Sequence, residues 1–181
     1  MSRRTLVIHP KDFTTDCLSV IYKEHPDWTV VRDPSTSEER INRLIKEHDR
    51  IIMLGHGTPA GLLAEAGGWR FGRYIINLSH IPLLQEKETV SIWCNSDEYF
   101  RRGGMKGFHT GMIISEEGEE WAVLRKAPLD EEEMNANMEL FCGLCAKYID
   151  TSPEEMQEGI LKEYVGDDEV TKYNRENIIV L

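Results

Sequence analysis

Four consecutive apolar residues, Ile51-Ile52-Met53-Leu54, break abruptly at Gly55-His56-Gly57. A run with no polar face reads as a strand covered on both sides, the kind that parallel sheets contain. Parallel strands need long crossovers, usually helices, and the flanking sequence supplies them. Leu6-Val7-Ile8 is a short apolar run ended by His9-Pro10. Residues 12–25 then read as a helix, with Asp12 as cap and Phe13, Cys17, Val20 and Ile21 on one face. Trp28 to Val31 is rich in β-formers and stops at Asp33-Pro34, after which Ser35 and Glu38 suit a capping box for a helix burying Ile41, Leu44 and Ile45. Beyond a glycine-rich stretch, a short helix is expected near 81–88 and a fourth strand over Val90-Ser91-Ile92-Trp93, ending at Cys94. A helical turn over 96–102 is stopped by Gly103-Gly104, and a fifth strand is expected at Met112-Ile113-Ile114.

The last third reads as mainly helical. Met134, Met138, Phe141, Cys145 and Tyr148 recur at helical spacing, predicting one long amphipathic helix. Ser152-Pro153-Glu154-Glu155 combines a cap, a first-turn proline and a reciprocal glutamate. Ile178-Ile179-Val180-Leu181 suits a sixth strand. The β-α-β-α-β order predicts an α/β fold: a three-layer α/β/α sandwich around a mostly parallel sheet of about six strands. The length, 181 residues, suits one domain, with residues 1–118 as its core and 119–181 as a helical C-terminal part.

The formal net charge is −11, a field that repels phosphate backbones and anionic lipid. Neither nucleic acid nor membrane is therefore expected as a partner, although Arg101, Arg102 and Lys106 form a local basic cluster. No stretch approaches the roughly 20 apolar residues that span a bilayer. The opening Met1-Ser2-Arg3-Arg4 lacks a signal peptide's apolar region. The expected location is the cytoplasm, where disulfides are rare and the Asn77-Leu78-Ser79 sequon carries no meaning.

In open parallel sheets, ligands bind beyond the carboxyl ends of the strands. His56 lies just past the third apolar run and Cys94 ends the fourth. Adjacent strands are about 4.8 Å apart, so neighbours there would open an imidazole and a thiol into one crevice. A free thiol is only a few per cent ionised at neutral pH, and an imidazole can serve it as a base or ion-pair partner. A helix following Cys94 is expected to lower its pKa further. The backbone N–H groups of Gly57 and Cys94 are the expected oxyanion donors, and Gly57 would let the backbone approach a substrate.

Leu54-Gly55-His56-Gly57-Thr58-Pro59-Ala60-Gly61-Leu62-Leu63 after one apolar strand, with Trp93-Cys94-Asn95-Ser96 after a second, resembles the caspase-like (clan CD) cysteine peptidases. That family includes caspases, metacaspases, legumain, gingipain, clostripain and the CHAT proteases. The resemblance covers about residues 5–118. It implies a catalytic His56, a nucleophilic Cys94, and peptide-bond hydrolysis through a thioester without cofactor or metal. Where caspases carry Gln-Ala before the nucleophile, and metacaspases an Asp two residues before it, this chain has Ile92-Trp93. A second expectation is therefore a catalytically inactive caspase-like module that binds a protein partner.

Weaker candidates surround the pair. His9 ends the first strand and can line the same crevice, as can Lys11 and Asp12, and Asn95, Asp97 and Glu98 follow Cys94. Cys142-Gly143-Leu144-Cys145 has redox-motif spacing but falls inside the predicted long helix, where thioredoxin-like chemistry is not expected. Cys17 reads as core, and His25 and His48 as helix-end residues. A Cys-x5-Arg phosphatase loop fails by one position, since Phe100 stands where the arginine is needed.

Overall fold

Strand β1 (Thr5–Ile8) pairs in parallel with β2 (Thr29–Val31) on one side and with β3 (Arg50–Leu54) on the other. This computed structural model describes residues 3–65, 72–116, 119–125 and 130–181; Met1, Ser2 and part of the glycine-rich stretch after Gly57 fall outside them. β3 continues in parallel to β7 (Glu88–Ile92) and then β8 (Phe108–Thr110), where β9 (Ile178–Val180) closes the edge antiparallel. The order is β2-β1-β3-β7-β8-β9, a six-stranded sheet. The intervening strands β4 (Gly57–Thr58), β5 (Gly61–Leu63) and β6 (Tyr74–Asn77) form a separate three-stranded antiparallel sheet.

Alternation along the central strands sorts the core into two layers, because successive side chains point to opposite faces. Leu6, Ile8, Ile51 and Met53 join Ile41 and Ile45 of α1 (Glu38–Glu47), Leu84 of α2 (Ile81–Leu84), and Tyr99 and Phe100 of α3 (Ser96–Gly103). Val7, Ile52, Leu54, Val90 and Ile92 join Leu18 and Ile21 of a 3₁₀ helix (Asp16–Tyr22) and buried side chains of α5 and α6. Here α4 is Glu119–Leu124, α5 Glu131–Tyr148 and α6 Pro153–Glu163. The result is the expected mostly parallel α/β/α sandwich. The C-terminal third belongs to it directly: α5 packs on the 3₁₀ helix, and β9 pairs with β8.

Several local expectations shift. The helix over 12–25 is replaced by the 3₁₀ segment, because the Asp12 carboxylate closes a turn on the Thr14 N–H at 3.0 Å instead of capping a helix. The buried face moves with it: Phe13 is 93% exposed and Cys17 is exposed, while Leu18 and Ile21 face the core. Ser37 caps α1, since Ser35 is held by Asp33. The fifth strand forms at Phe108–Thr110, and the apolar Ile113-Ile114 lies past its end, where the Asn174 side chain takes the Ile114 N–H at 2.8 Å. Asp130 and Glu133 cap α5 reciprocally, and α7 (Glu169–Glu176) carries that buried Asn174. Among the described residues, no helix is long and apolar enough to cross a membrane.

Candidate active site

β3 and β7 are neighbours, and the Leu54–Ile92 pair ends their registered ladder. His56 and Cys94 each stand two residues beyond that pair. The ladder is prolonged by the Gly55 N–H, which reaches the Ile92 carbonyl at 3.1 Å. Equal offsets on adjacent parallel strands bring both side chains to the same sheet edge. They line one small cavity of about 40 Å³, shared with Thr14, Cys17, Ile113 and Phe141. That volume admits water but no amino-acid side chain. A wider groove adjoins it, lined by Thr14 and Cys17 together with Phe13, Met134, Glu116 and Glu131.

The turn that presents Cys94 is tightly pinned. Asn95 adopts a left-handed conformation at φ 63°, which asparagine tolerates better than most residues, and its N–H bonds to the Gly111 carbonyl at 3.0 Å. Buried Ser96 donates to the Thr110 carbonyl and accepts from the Thr110 N–H, each at 2.9 Å. The Thr110 hydroxyl donates to the Trp93 carbonyl at 2.9 Å. Cys94 is therefore held on a fixed backbone between β7 and α3.

Trp93 and Cys94 face opposite layers. The Trp93 ring is buried with Tyr99 and Phe100, and its indole N–H donates to the Thr58 carbonyl at 3.2 Å. That bond clamps β4 beside the cysteine turn. A Cβ on Gly57 would lie 2.1 Å from Trp93 Cδ1 and 2.7 Å from the Gly61 carbonyl oxygen. The expected reason for Gly57, close approach of a substrate, is thus replaced by close approach of an indole. Gly61, at φ +144°, has its missing Cβ 1.9 Å from the Ile76 carbonyl oxygen and sets the β4–β5 turn against β6. Gly57→Ala is expected to destabilise the fold by about 1–3 kcal/mol, as overpacking does, and to displace the Trp93 ring. A wild-type urea midpoint and an unchanged Trp emission spectrum in the variant would refute this.

Neither N–H group expected to hold an oxyanion is tied up by the strand or turn that carries it. His56–Leu63 is a hydrogen-bonded pair, since the Leu63 N–H meets the His56 carbonyl at 2.8 Å. The next pair, Gly57–Leu62, must then be of the non-bonded type, with the Gly57 N–H turned away from β5. The Cys94 N–H makes no hydrogen bond to another described residue.

The electrostatics of the thiol depart from expectation. Cys94 is pushed up to about 11, chiefly by burial, with further contributions from the Glu119 and Glu116 carboxylates. The following helix does not offset this desolvation. Sγ lies 3.8 Å from the Ile113 carbonyl, to which the thiol donates, and it makes no hydrogen bond with His56. At rest the sulfur is a protonated thiol, not half of an ion pair. The imidazole has other partners: Nε2 lies 2.6 Å from Thr14 Oγ1, 3.6 Å from Glu116 Oε1 and 3.9 Å from Asp12 Oδ1.

The weaker candidates divide. Asp12 reaches the site, beside His56. His9 does not: it is 0% exposed, with Nδ1 3.0 Å from the Tyr22 hydroxyl and Nε2 3.1 Å from the Thr15 carbonyl. Burial, then the Arg32 charge, pushes it down to about 4, so it is a neutral core histidine and no substrate contact. Lys11 is exposed and lines neither the cavity nor the groove. Asn95 serves the turn, and Asp97 is ion-paired at 3.3 Å to Arg101 on its own helix. Glu98 is exposed. Phe100, which stands where a phosphatase loop would need arginine, is core. Cys142 and Cys145 are buried in α5; Cys142 is pushed up by its hydrogen bond to Cys17 and by burial, and Cys145 by burial. His48 bonds the Leu44 carbonyl and the Thr29 hydroxyl, and His25 stacks on Trp28.

Thr14 and Glu116 are the site residues that sequence reasoning missed. Asp12-Phe13-Thr14 carries the side-chain-to-backbone turn pattern of Asp with a hydroxyl residue two positions on, which would have flagged Thr14. No local signal marks Glu116, which arrives from the segment after β8. Compared with protein-family models and with curated proteins, the sequence matches none.

Proposed function

We propose that this chain is a cysteine peptidase of the caspase-like type, with Cys94 as nucleophile and His56 as the acid–base group. One observation carries the reading: an imidazole and a thiol at equal offsets past registered neighbouring strands line the same cavity. A base and a nucleophile held on rigid backbone at those positions can do acyl transfer. The thiol attacks a peptide carbonyl while its proton passes to His56. The Gly57 and Cys94 N–H groups hold the oxyanion. The intermediate collapses to a thioester as His56 returns the proton to the departing amine, and water then releases the acid with His56 again as base. Because the thiol rests protonated, proton removal accompanies attack and is not completed beforehand. A peptide or protein is the substrate, and the cytoplasm is its compartment in this reading. The test is turnover of a fluorogenic peptide panel, with product ends identified by mass spectrometry. A panel left uncut, or cut equally by Cys94→Ala, overturns the proposal.

The raised thiol pKa favours a second reading, an inactive module that binds a protein partner. Alkylation separates the two. With only the resting thiol, iodoacetamide labelling of Cys94 rises about tenfold per pH unit towards pH 11, as thiolate fraction does. A His56 that takes the proton adds a component at neutral pH, lost in His56→Ala. Labelling that is identical in wild type and His56→Ala across the whole pH range supports the inactive module.

A further inference from the structure

The groups around His56 have an order that the peptidase reading does not use. The Asp12 carboxylate oxygen Oδ1 accepts from the Thr14 N–H at 3.0 Å and from the Thr14 hydroxyl at 2.8 Å. The same hydroxyl oxygen is 2.6 Å from His56 Nε2. A threonine hydroxyl has one proton, and a carboxylate is the stronger claimant because the bond is charge-assisted. With that proton directed at Asp12, Thr14 Oγ1 can only accept from the imidazole, so Nε2 carries the hydrogen. The other oxygens near Nε2, from Glu116 at 3.6 Å and Asp12 at 3.9 Å, are carboxylates and favour the same arrangement. Nδ1 makes no hydrogen bond to any described residue.

We propose that Thr14 and Asp12 are positioning residues which hold His56 as its Nε2–H tautomer and orient the ring, leaving Nδ1 as the nitrogen that receives the Cys94 proton. The inference rests on the peptidase reading for its purpose, but the tautomer does not. The turn 12–14 closes on itself through a single carboxylate, which makes the hydroxyl a fixed feature of the backbone. The other neutral tautomer would carry its single N–H on Nδ1 and leave no lone pair there to accept the thiol's proton.

The test uses protein with ¹⁵N-labelled histidine at pH 7.5, the His56 ring signals being assigned by their disappearance in His56→Gln. The expected spectrum shows a protonated Nε2 and an unprotonated Nδ1. Thr14→Ser keeps it, because the hydroxyl survives. Thr14→Val, of the same shape, gives a tautomer mixture, and Asp12→Asn shifts it in the same direction. Thr14 is exposed, so urea midpoints of the two Thr14 variants are expected at the wild-type value. In the peptide assay, kcat of Thr14→Val falls by about 10²-fold at little-changed KM, the scale of a misplaced catalytic group, and Thr14→Ser restores it. An unaltered tautomer in both Thr14→Val and Asp12→Asn, or a wild-type Nδ1–H, overturns the relay. A tautomer that responds as expected in a protein that cuts no peptide upholds the relay and removes the peptidase reading.

Discussion

Cys94→Ala is expected to lower kcat/KM for peptide cleavage by at least about 10³-fold, and His56→Ala by a similar factor. The reason is that the two groups act on one proton. A thiol pushed up to about 11 is almost wholly protonated at neutral pH. Without a base, attack must proceed through that minute thiolate fraction, and without the sulfur the base has nothing to activate. The double variant is accordingly expected to lose no more than the worse single one, since members of a catalytic unit are not additive. Residual activity would come from the backbone donors of Gly57 and Cys94 and from substrate binding. Losses that multiply in the double variant would show two independent contributions and defeat the dyad. Urea unfolding of the same proteins separates chemistry from stability. Cys94 is half-buried, and its replacement by alanine removes a single sulfur.

Stability is expected to fall steeply in mild acid, for reasons unconnected with catalysis. His9 is pushed down to about 4 by burial and by Arg32, and His109 to about 3 by burial and by Arg101. His9 packs against Tyr22 and Arg32, with the Asp16 and Asp12 carboxylates acting on it by charge, whereas His109 stacks on Phe100 with Nδ1 2.6 Å from the Ser91 hydroxyl. Both are neutral in the folded chain and free to protonate near 6.5 in the unfolded one. Above pH 6.5 neither state binds the proton and stability is independent of these groups. Below it the unfolded state gains protons that the folded state refuses, so stability drops until the folded values are reached. At pH 5 the loss is about 2 kcal/mol for each histidine, about 4 kcal/mol together. Buried His80, also pushed down by burial, adds a contribution of the same sign. Typical domains hold about 5–15 kcal/mol, so the effect takes a large share of the total. Urea midpoints at pH 7.5 and pH 5.0 measure it directly, and equal midpoints would contradict the neutral-core assignment of both residues.

The two predictions draw on histidines of one chain in opposite roles. His9 and His56 both follow the ends of parallel strands. His9 is enclosed by the turn that runs to Thr15 and by Tyr22, whose groups take both ring nitrogens. His56 stands in the opening where β3 and β7 part, with its ring partly exposed. The difference is one of neighbours, not of residue type or position in the local pattern, and it decides which histidine opens onto the cavity.

Apolar runs and their breaks were enough to reveal the sheet. Leu6–Ile8 and Ile51–Leu54 have no polar face to offer water, Val90–Ile92 carries only a buried serine between its apolar residues, and strands of that kind are stable between two helical layers. The ends of those runs also marked His56 and Cys94 as residues just past the carboxyl ends of their strands, the edge where parallel sheets in general bind ligands. Contacts between distant segments decided the rest. Pairing of short segments made the β4–β6 sheet from a stretch that reads as glycine-rich loop, and set β8 four residues ahead of the apolar Met112-Ile113-Ile114, where Asn174 on α7 takes the Ile114 backbone. Burial among segments far apart in sequence raised the Cys94 thiol where its own helix would have lowered it. Folding also brought Thr14 and Glu116 to the imidazole. Local sequence fixes the backbone's preferred period and its breaks. The charge, solvent access and hydrogen-bond partners of a side chain are properties of the space it enters, and only the folded chain defines that space.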